Sequence, residues 1–177
     1  MPGPGPNFKG TVMETTKGMA VAVGVVTMLT AGSIAAQALP KSGSINVHSG
    51  YWAIGEMVAY ANKLHTQGHG NNRGSTFNDN GSGPLHLGPT DCFYTLDITS
   101  ERTKVKGYCT FGDPDGDLIF TDFHGASNAE GYLEGTHDVD TGTGKYSGIK
   151  GTMTFKCKFS GSNGELQCTQ RLDYKLP

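Results

Sequence analysis

The chain carries little charge, few cysteines and none of the short motifs that announce a familiar chemistry. Charged residues make up 17% of its 177 positions, and the formal net charge is −2. It therefore has no basic surplus to hold a nucleic acid or an acidic partner. It has no nucleophile elbow, no paired-carboxylate motif and no cofactor fingerprint, so no cofactor is expected. It lacks any C-x₂₋₄-C pair, the spacing that a four-cysteine metal site wants. One stretch imitates a phosphate loop: "TGTGKYSGIKG", Thr141 to Gly151. A nucleotide loop needs G-x-x-x-x-G-K-[ST] between a strand and a helix. Here Tyr146 follows Gly144-Lys145, Val139 stands where the first glycine belongs, and the strand-like run "GTMTFKCKF" comes next. These substitutions exclude a nucleotide, and the glycines need another explanation.

Glycine is abundant. Its 27 copies are about twice the average share, and they sit between short apolar runs, as tight turns between strands would require. "CFYTLDI", "TKVKGYCTF", "DLIFTDFHG" and "EGYLEGTHDV" follow one another at near-regular spacing, and "GTMTFKCKF" and "ELQCTQRLDYKL" close the chain. Seven or eight short strands with no helical segment between them predict a sandwich or a closed barrel. A barrel removes the edge strands that an exported β-domain must otherwise protect. The run from residue 45 to 65 satisfies both periods. Ile54, Met57, Val58, Ala61 and Leu64 would form a helical stripe, whereas Trp52, Ile54, Glu56, Val58 and Tyr60 would form one face of a strand. "GDPDGD", Gly112 to Asp117, reads as a tight turn. A calcium loop starting at Asp113 would need Gly and Glu where Leu118 and His124 stand.

The N-terminal part differs in composition. Residues 1–17 read as a leader, and 18–38 as an uncharged apolar segment between Lys17 and Lys41. Its length suits either a membrane-spanning helix or a signal peptide, with Ala36-Gln37-Ala38 as the cleavage site in the second case. Both place the remainder outside the cytoplasm. The retained anchor is the expectation carried forward: a single inner-membrane helix with its N-terminus inside by the positive-inside bias of Lys9 and Lys17. The segment is rich in small residues, so Ala20, Gly24 and Gly32 are expected to pack against helices of another membrane protein. The alternative is a soluble periplasmic or secreted protein released by cleavage. Residues 39–46 read as a linker and 47–177 as the β-domain.

The four cysteines, Cys92, Cys109, Cys157 and Cys168, suggest disulfides in an exported chain, with three possible connectivities. The midpoint of Cys157 and Cys168 falls in the turn "GSNG", and that of Cys92 and Cys109 falls between Ser100 and Glu101. Residues equidistant from a hairpin turn oppose each other, with Cβ atoms about 4.5–5.5 Å apart, near disulfide range. The register therefore predicts Cys92–Cys109 and Cys157–Cys168.

"GSTFNDNGSGPLHLGPTDC", "GYCTFGDPDGD" and "GTGKYSGIKGTMTF" resemble segments of small exported bacterial proteins that are themselves similar to the allene oxide cyclase and dirigent barrel. The resemblance spans roughly Gly74 to Lys158 and implies an all-β, antiparallel eight-stranded barrel, here preceded by one N-terminal hydrophobic helix. It also implies that Thr141–Gly151 is a hairpin loop at the barrel rim. It transfers no catalytic residue. If the barrel were an enzyme, a cofactor-free isomerase or cyclase, the acid or base would come from Glu134, His124, Asp97, Tyr94 or Tyr108, if these point inward. His65 and His69, joined in space by His48 or His86, are the candidates for a metal site. A packed lumen would be lined by Phe120, Leu133, Met153 and Phe155, whereas a cavity above about 300 Å³ with converging polar groups would indicate a ligand. The expected role is a non-enzymatic, membrane-tethered periplasmic barrel serving as an accessory subunit of an inner-membrane complex. The alternatives are an isomerase or cyclase and a small-ligand-binding barrel.

Overall fold

A computed structural model describes residues 39–59, 65–161 and 163–177. The expected N-terminal helix, with Ala20, Gly24 and Gly32, lies outside the described residues. Among the described residues, no helix is long and apolar enough to cross a membrane.

Eight strands follow in chain order: β1 (Ser42–Ala59), β2 (His65–Asn78), β3 (Gly88–Thr99), β4 (Thr103–Gly112), β5 (Leu118–Ser127), β6 (Leu133–Gly142), β7 (Lys150–Phe159) and β8 (Glu165–Lys175). Each pairs antiparallel with its sequence neighbours, and β1 pairs with β8, so the sheet closes into the expected barrel. β1 starts at Ser42, so residues 42–46 are strand rather than linker. Ile45 and Val47 face the core opposite Leu172 and Gln170 of β8, and that pairing extends the strand back. The ambiguous run is also strand, with Trp52, Ile54, Glu56 and Val58 on the outer face. It finds partners on both sides, β2 and β8, and a helix there would leave the barrel open.

Alternation assigns every wall residue to the lumen or the exterior. Tyr51, Cys92, Cys109, Phe123, His137, Met153, Phe155 and Leu172 are buried. Phe120 does not join them. Ile119 and Thr121 take the inward positions, leaving Phe120 on the outside and 37% exposed. Both predicted disulfides are present, Cys92–Cys109 and Cys157–Cys168, each joining directly opposed residues. They staple β3 to β4 and β7 to β8, on opposite sides of the ring.

The two ends differ. At one end lie residues 39–41 and 176–177 and the loops 79–87, 113–117 and 143–149, and it is plugged. Leu85, Phe111, Ile119, Tyr146 and Ile149 have no exposure there. The glycine-rich stretch Thr141–Gly151 supplies the centre of the plug. Gly144–Tyr146 form one 3₁₀ turn, with Gly144 at φ 51° and Gly148 at φ 75°, a region that favours glycine. That turn inserts the Tyr146 ring into the barrel and aims Lys145 at the "GDPDGD" turn. Lys145 Nζ lies 2.6 Å from Asp113, 2.5 Å from Asp115 and 3.6 Å from Asp117. The three carboxylates hold a lysine, and the Tyr146 hydroxyl donates to Asp113 Oδ2 at 2.6 Å. Burial acts to lower the Lys145 pKa, but its bonds to Asp113 and Asp115 outweigh burial and hold it above the ordinary value. Burial and the adjacent Asp113 carboxylate together raise that of Tyr146. At the other end, hairpin turns connect β3 to β4, β5 to β6 and β7 to β8, and among the described residues the lumen is open there.

Candidate functional site

The open half of the lumen is hollow because its inward positions hold glycine. Gly55, Gly68, Gly70, Gly107, Gly125 and Gly135 all alternate inward. Aromatic rings from neighbouring strands lie over several of them. A Cβ on Gly125 or Gly135 would come within 2.8 Å of Phe155 Cζ, one on Gly107 within 2.9 Å of Phe123 Cε1, and one on Gly70 within 2.6 Å of the Tyr94 hydroxyl. The rings narrow the middle of the barrel, and the space above them stays free.

That space is a chamber of about 210 Å³ bounded by Ala53, Asn72, Tyr94, Leu96, Val105 and Leu133. A second chamber of about 50 Å³ continues below it, reaching Tyr51, His137, Phe155, Gln170 and both disulfides. The two share Asn72, Val105, Leu133 and Leu166 as walls. Leu133 and Phe155 line the lumen as expected, while Met153 is packed fully into the plugged half. The upper chamber falls below the 300–1,000 Å³ typical of drug-sized ligands, yet it exceeds the voids that a packed interior leaves.

Polar groups converge at the floor. Ser49 Oγ donates to Gln170 Oε1 at 2.6 Å, and the Tyr51 hydroxyl donates to the same oxygen at 3.3 Å. Burial pushes the Tyr51 phenol up to about 12, so it stays protonated. His137 Nδ1 lies 2.9 Å from Thr121 Oγ1, and Phe111, Phe123 and Phe155 surround its ring. Burial drives its pKa down to about 3, so the imidazole is neutral. Its Nε2 makes no hydrogen bond among the described residues. Asn72 Oδ1 is buried and finds no hydrogen-bond partner among the described residues. Among the described residues, no carboxylate, lysine or arginine lines the lower chamber.

Of the five acid or base candidates, Tyr94 alone points into the lumen. Burial raises its phenol pKa, and its hydroxyl sits 3.4 Å from the Ile54 carbonyl. Tyr108 stands on the outer wall, 66% exposed. Asp97, His124 and Glu134 also have outward positions, and they border a wider recess of about 1210 Å³ that adjoins the chamber at Leu96 and Val105. Each already has a partner. Asp97 pairs with His65, Glu134 with Lys156 at 2.7 Å, and His124 Nε2 meets Thr136 Oγ1 at 3.5 Å. The lysine bond to Glu134 holds its carboxyl below the ordinary value. The four histidines do not converge. His65 and His69 lie toward the open end. His48 pairs with Asp79 and stacks on Phe77, which His86 meets edge-on. Among the described residues, no group of three or more metal-ligating side chains forms.

Asn72, Tyr51, Gln170 and His137 were not among the sequence candidates. One signal bore on Asn72 and on the orientation of two of the candidates. Disulfide cysteines are among the most buried residues, so inward Cys92 makes Tyr94 inward and Asp97 outward by parity, and the Cys92 partner on β2 is Asn72.

No protein-family model matches the chain, and no curated protein sequence does. Among solved structures, the chain is similar to the pterocarpan synthase dirigent protein GePTS1, with a TM-score of 0.47 and 14% identity over 77% of this chain and 91% of that one. The likeness is one of barrel fold.

Proposed function

We propose that this chain is a non-catalytic barrel that takes one small, neutral, mainly apolar molecule through the open end, and that residues 18–38 tether it as a subunit on the outer face of the inner membrane. Asn72 Oδ1 carries the binding reading. A buried acceptor without a donor costs about 1–3 kcal/mol, and this one faces both chambers. A ligand hydroxyl or N–H would complete it, while the glycine-hollowed upper chamber takes the apolar body. A charged ligand would find no counter-ion on the floor. Two disulfides support an oxidising compartment, and the uncharged run between Lys17 and Lys41 supports the tether. A second reading, a cofactor-free isomerase or cyclase, rests on the neutral His137 with its Nε2 unengaged.

The test is a titration of the full chain with 4-methylphenol, followed by NMR shifts of the Asn72 side-chain amide, with toluene as the control that lacks a donor. The phenol is expected to bind about tenfold tighter than toluene, the value of one recovered hydrogen bond, and Asn72→Leu should erase the difference. Shifts confined to the exterior would remove the lumen from the account. The tether is tested separately, by mild detergent extraction of membranes and mass spectrometry of the mature N-terminus. A soluble chain beginning at Leu39 would leave the released barrel in its place.

A further inference from the structure

The exterior carries one feature that neither the fold nor the lumen requires. Among the described glycines, all but one have a backbone angle or a close neighbour that bears on an added side chain. Each either takes positive φ or would drive a Cβ within 3.3 Å of a neighbour. Gly50 does neither: an added Cβ would meet nothing within 4 Å. Glycine weakens the middle of a strand, and it commonly marks a place where a ligand or another backbone comes close.

Gly50 sits on the outer wall of β1, opposite Ser75 of β2 and Gln167 of β8. It floors a groove of about 720 Å³. One side of the groove is the stacked His48–Phe77 pair, with centroids 5.3 Å apart and planes at 13°. The other side is Tyr132, with Lys156 Nζ 4.3 Å and Lys158 Nζ 4.6 Å from its ring centroid. The side chains of Gln167 and Thr169 lie between, and neither makes a hydrogen bond among the described residues. Among the described residues, no carboxylate lines the groove. Lys156 has Glu134 as partner, but Lys158 has no ion-pair partner among the described residues.

We infer that this groove binds a short stretch of acidic polysaccharide, with a sugar ring lying over Gly50. The side walls are aromatic, the floor offers free amide and hydroxyl groups, and one rim is cationic. A uronate ring matches all three. Its C–H face packs on an aromatic ring, its hydroxyls bond Gln167 and Thr169, and its carboxylate meets Lys158. Other occupants fit less well. An extended peptide adds to a sheet edge, and a closed barrel has none. A docked helix needs an apolar groove, and this floor is polar. Nucleic acid binding draws on many phosphate contacts, and two lysines supply few. The inference does not depend on the lumenal reading.

The experiment is calorimetric titration of the full chain, in detergent at low salt, with tetragalacturonate, and with neutral maltotetraose as control. Tetragalacturonate should bind saturably and maltotetraose should not. Gly50→Val and Lys158→Gln should each weaken binding about tenfold or more. Valine favours strands and the position is open, so Gly50→Val should melt no lower than the parent, which separates lost binding from lost folding. Lys158→Gln removes only an exposed cation, so it reads the site without touching the core. The inference is overturned by undetectable binding, by equal binding of maltotetraose, by binding that both substitutions leave intact, or by displacement of tetragalacturonate by a single-stranded oligonucleotide or an anionic phospholipid vesicle.

Discussion

The imidazole of His137 packs against three phenyl rings, with centroids 5.2 or 5.3 Å away, and its folded pKa of about 3 stands against an ordinary 6.5. Between those values the unfolded chain binds a proton that the folded chain refuses. Unfolding free energy therefore falls as pH drops from about 6.5 toward 3, by about 1.4 kcal/mol per unit from this group. His137→Gln should show a shallower slope over that window in urea melts. An unchanged slope would mean that the imidazole is not held neutral. Lys145 works in the opposite sense, as a cation that the fold needs. The Asp113 side chain is only 3% exposed, and Lys145→Met would leave its charge without a counter-ion. The expected loss is about 3 kcal/mol in chemical denaturation. Lys150→Met is the matched control, because its partner Asp140 is solvent-exposed, and it should change stability little.

Hairpins are the units in which the sequence is most legible. Loop lengths and cysteine positions are local, so the register of β3 with β4 and of β7 with β8 follows from counting residues about a turn. Removing the β3–β4 bridge with a double Cys92→Ala, Cys109→Ala change should cost about 3 kcal/mol in the loop-entropy account, read as a lower urea midpoint. β1 was not legible in the same way. Ile54 and Val58 satisfy both a helical and a strand period, and the partners that decide between them, β2 and β8, are distant in sequence. The site was least legible, because its volume comes from absent side chains. A glycine reads as a turn in sequence, yet Gly125 and Gly135 lie directly opposite each other within the β5–β6 ladder and make room for the Phe155 ring from β7. Gly135→Val should overpack this contact, where a Cβ would already stand 2.1 Å from the His124 carbonyl oxygen. Such overpacking typically costs about 1–3 kcal/mol, measurable by thermal melting.

The barrel as a whole is polarised along its axis. One half is closed by Leu85, Phe111, Ile119, Tyr146 and Ile149, all without exposure. The Lys145 cluster clamps the loops there, and the residues leading into β1 are tied nearby to the end of β8 by the bond from Leu176 N–H to the Lys41 carbonyl at 2.7 Å. The other half has glycines where side chains would pack, and Met57, Val58 and Phe159 are at least half exposed. Stability is uneven across a fold, and segments with few buried apolar contacts open locally. Amides of Ile119, Val139 and Leu172 should therefore exchange with solvent only through global unfolding, whereas those of Leu96, Gly125 and Gly135 should exchange through lower-energy openings. A molecule seated in the upper chamber would supply the missing contacts. It should slow exchange in the open half and leave the plugged half at its global limit until the concentration of ligand raises that limit too. Native-state hydrogen exchange with and without 4-methylphenol reads both effects in one experiment. Equal protection of the two halves in the free chain would contradict the polarised barrel. A polarised free chain whose open half stays unprotected under saturating phenol would keep the architecture and reject the lumen as the binding site.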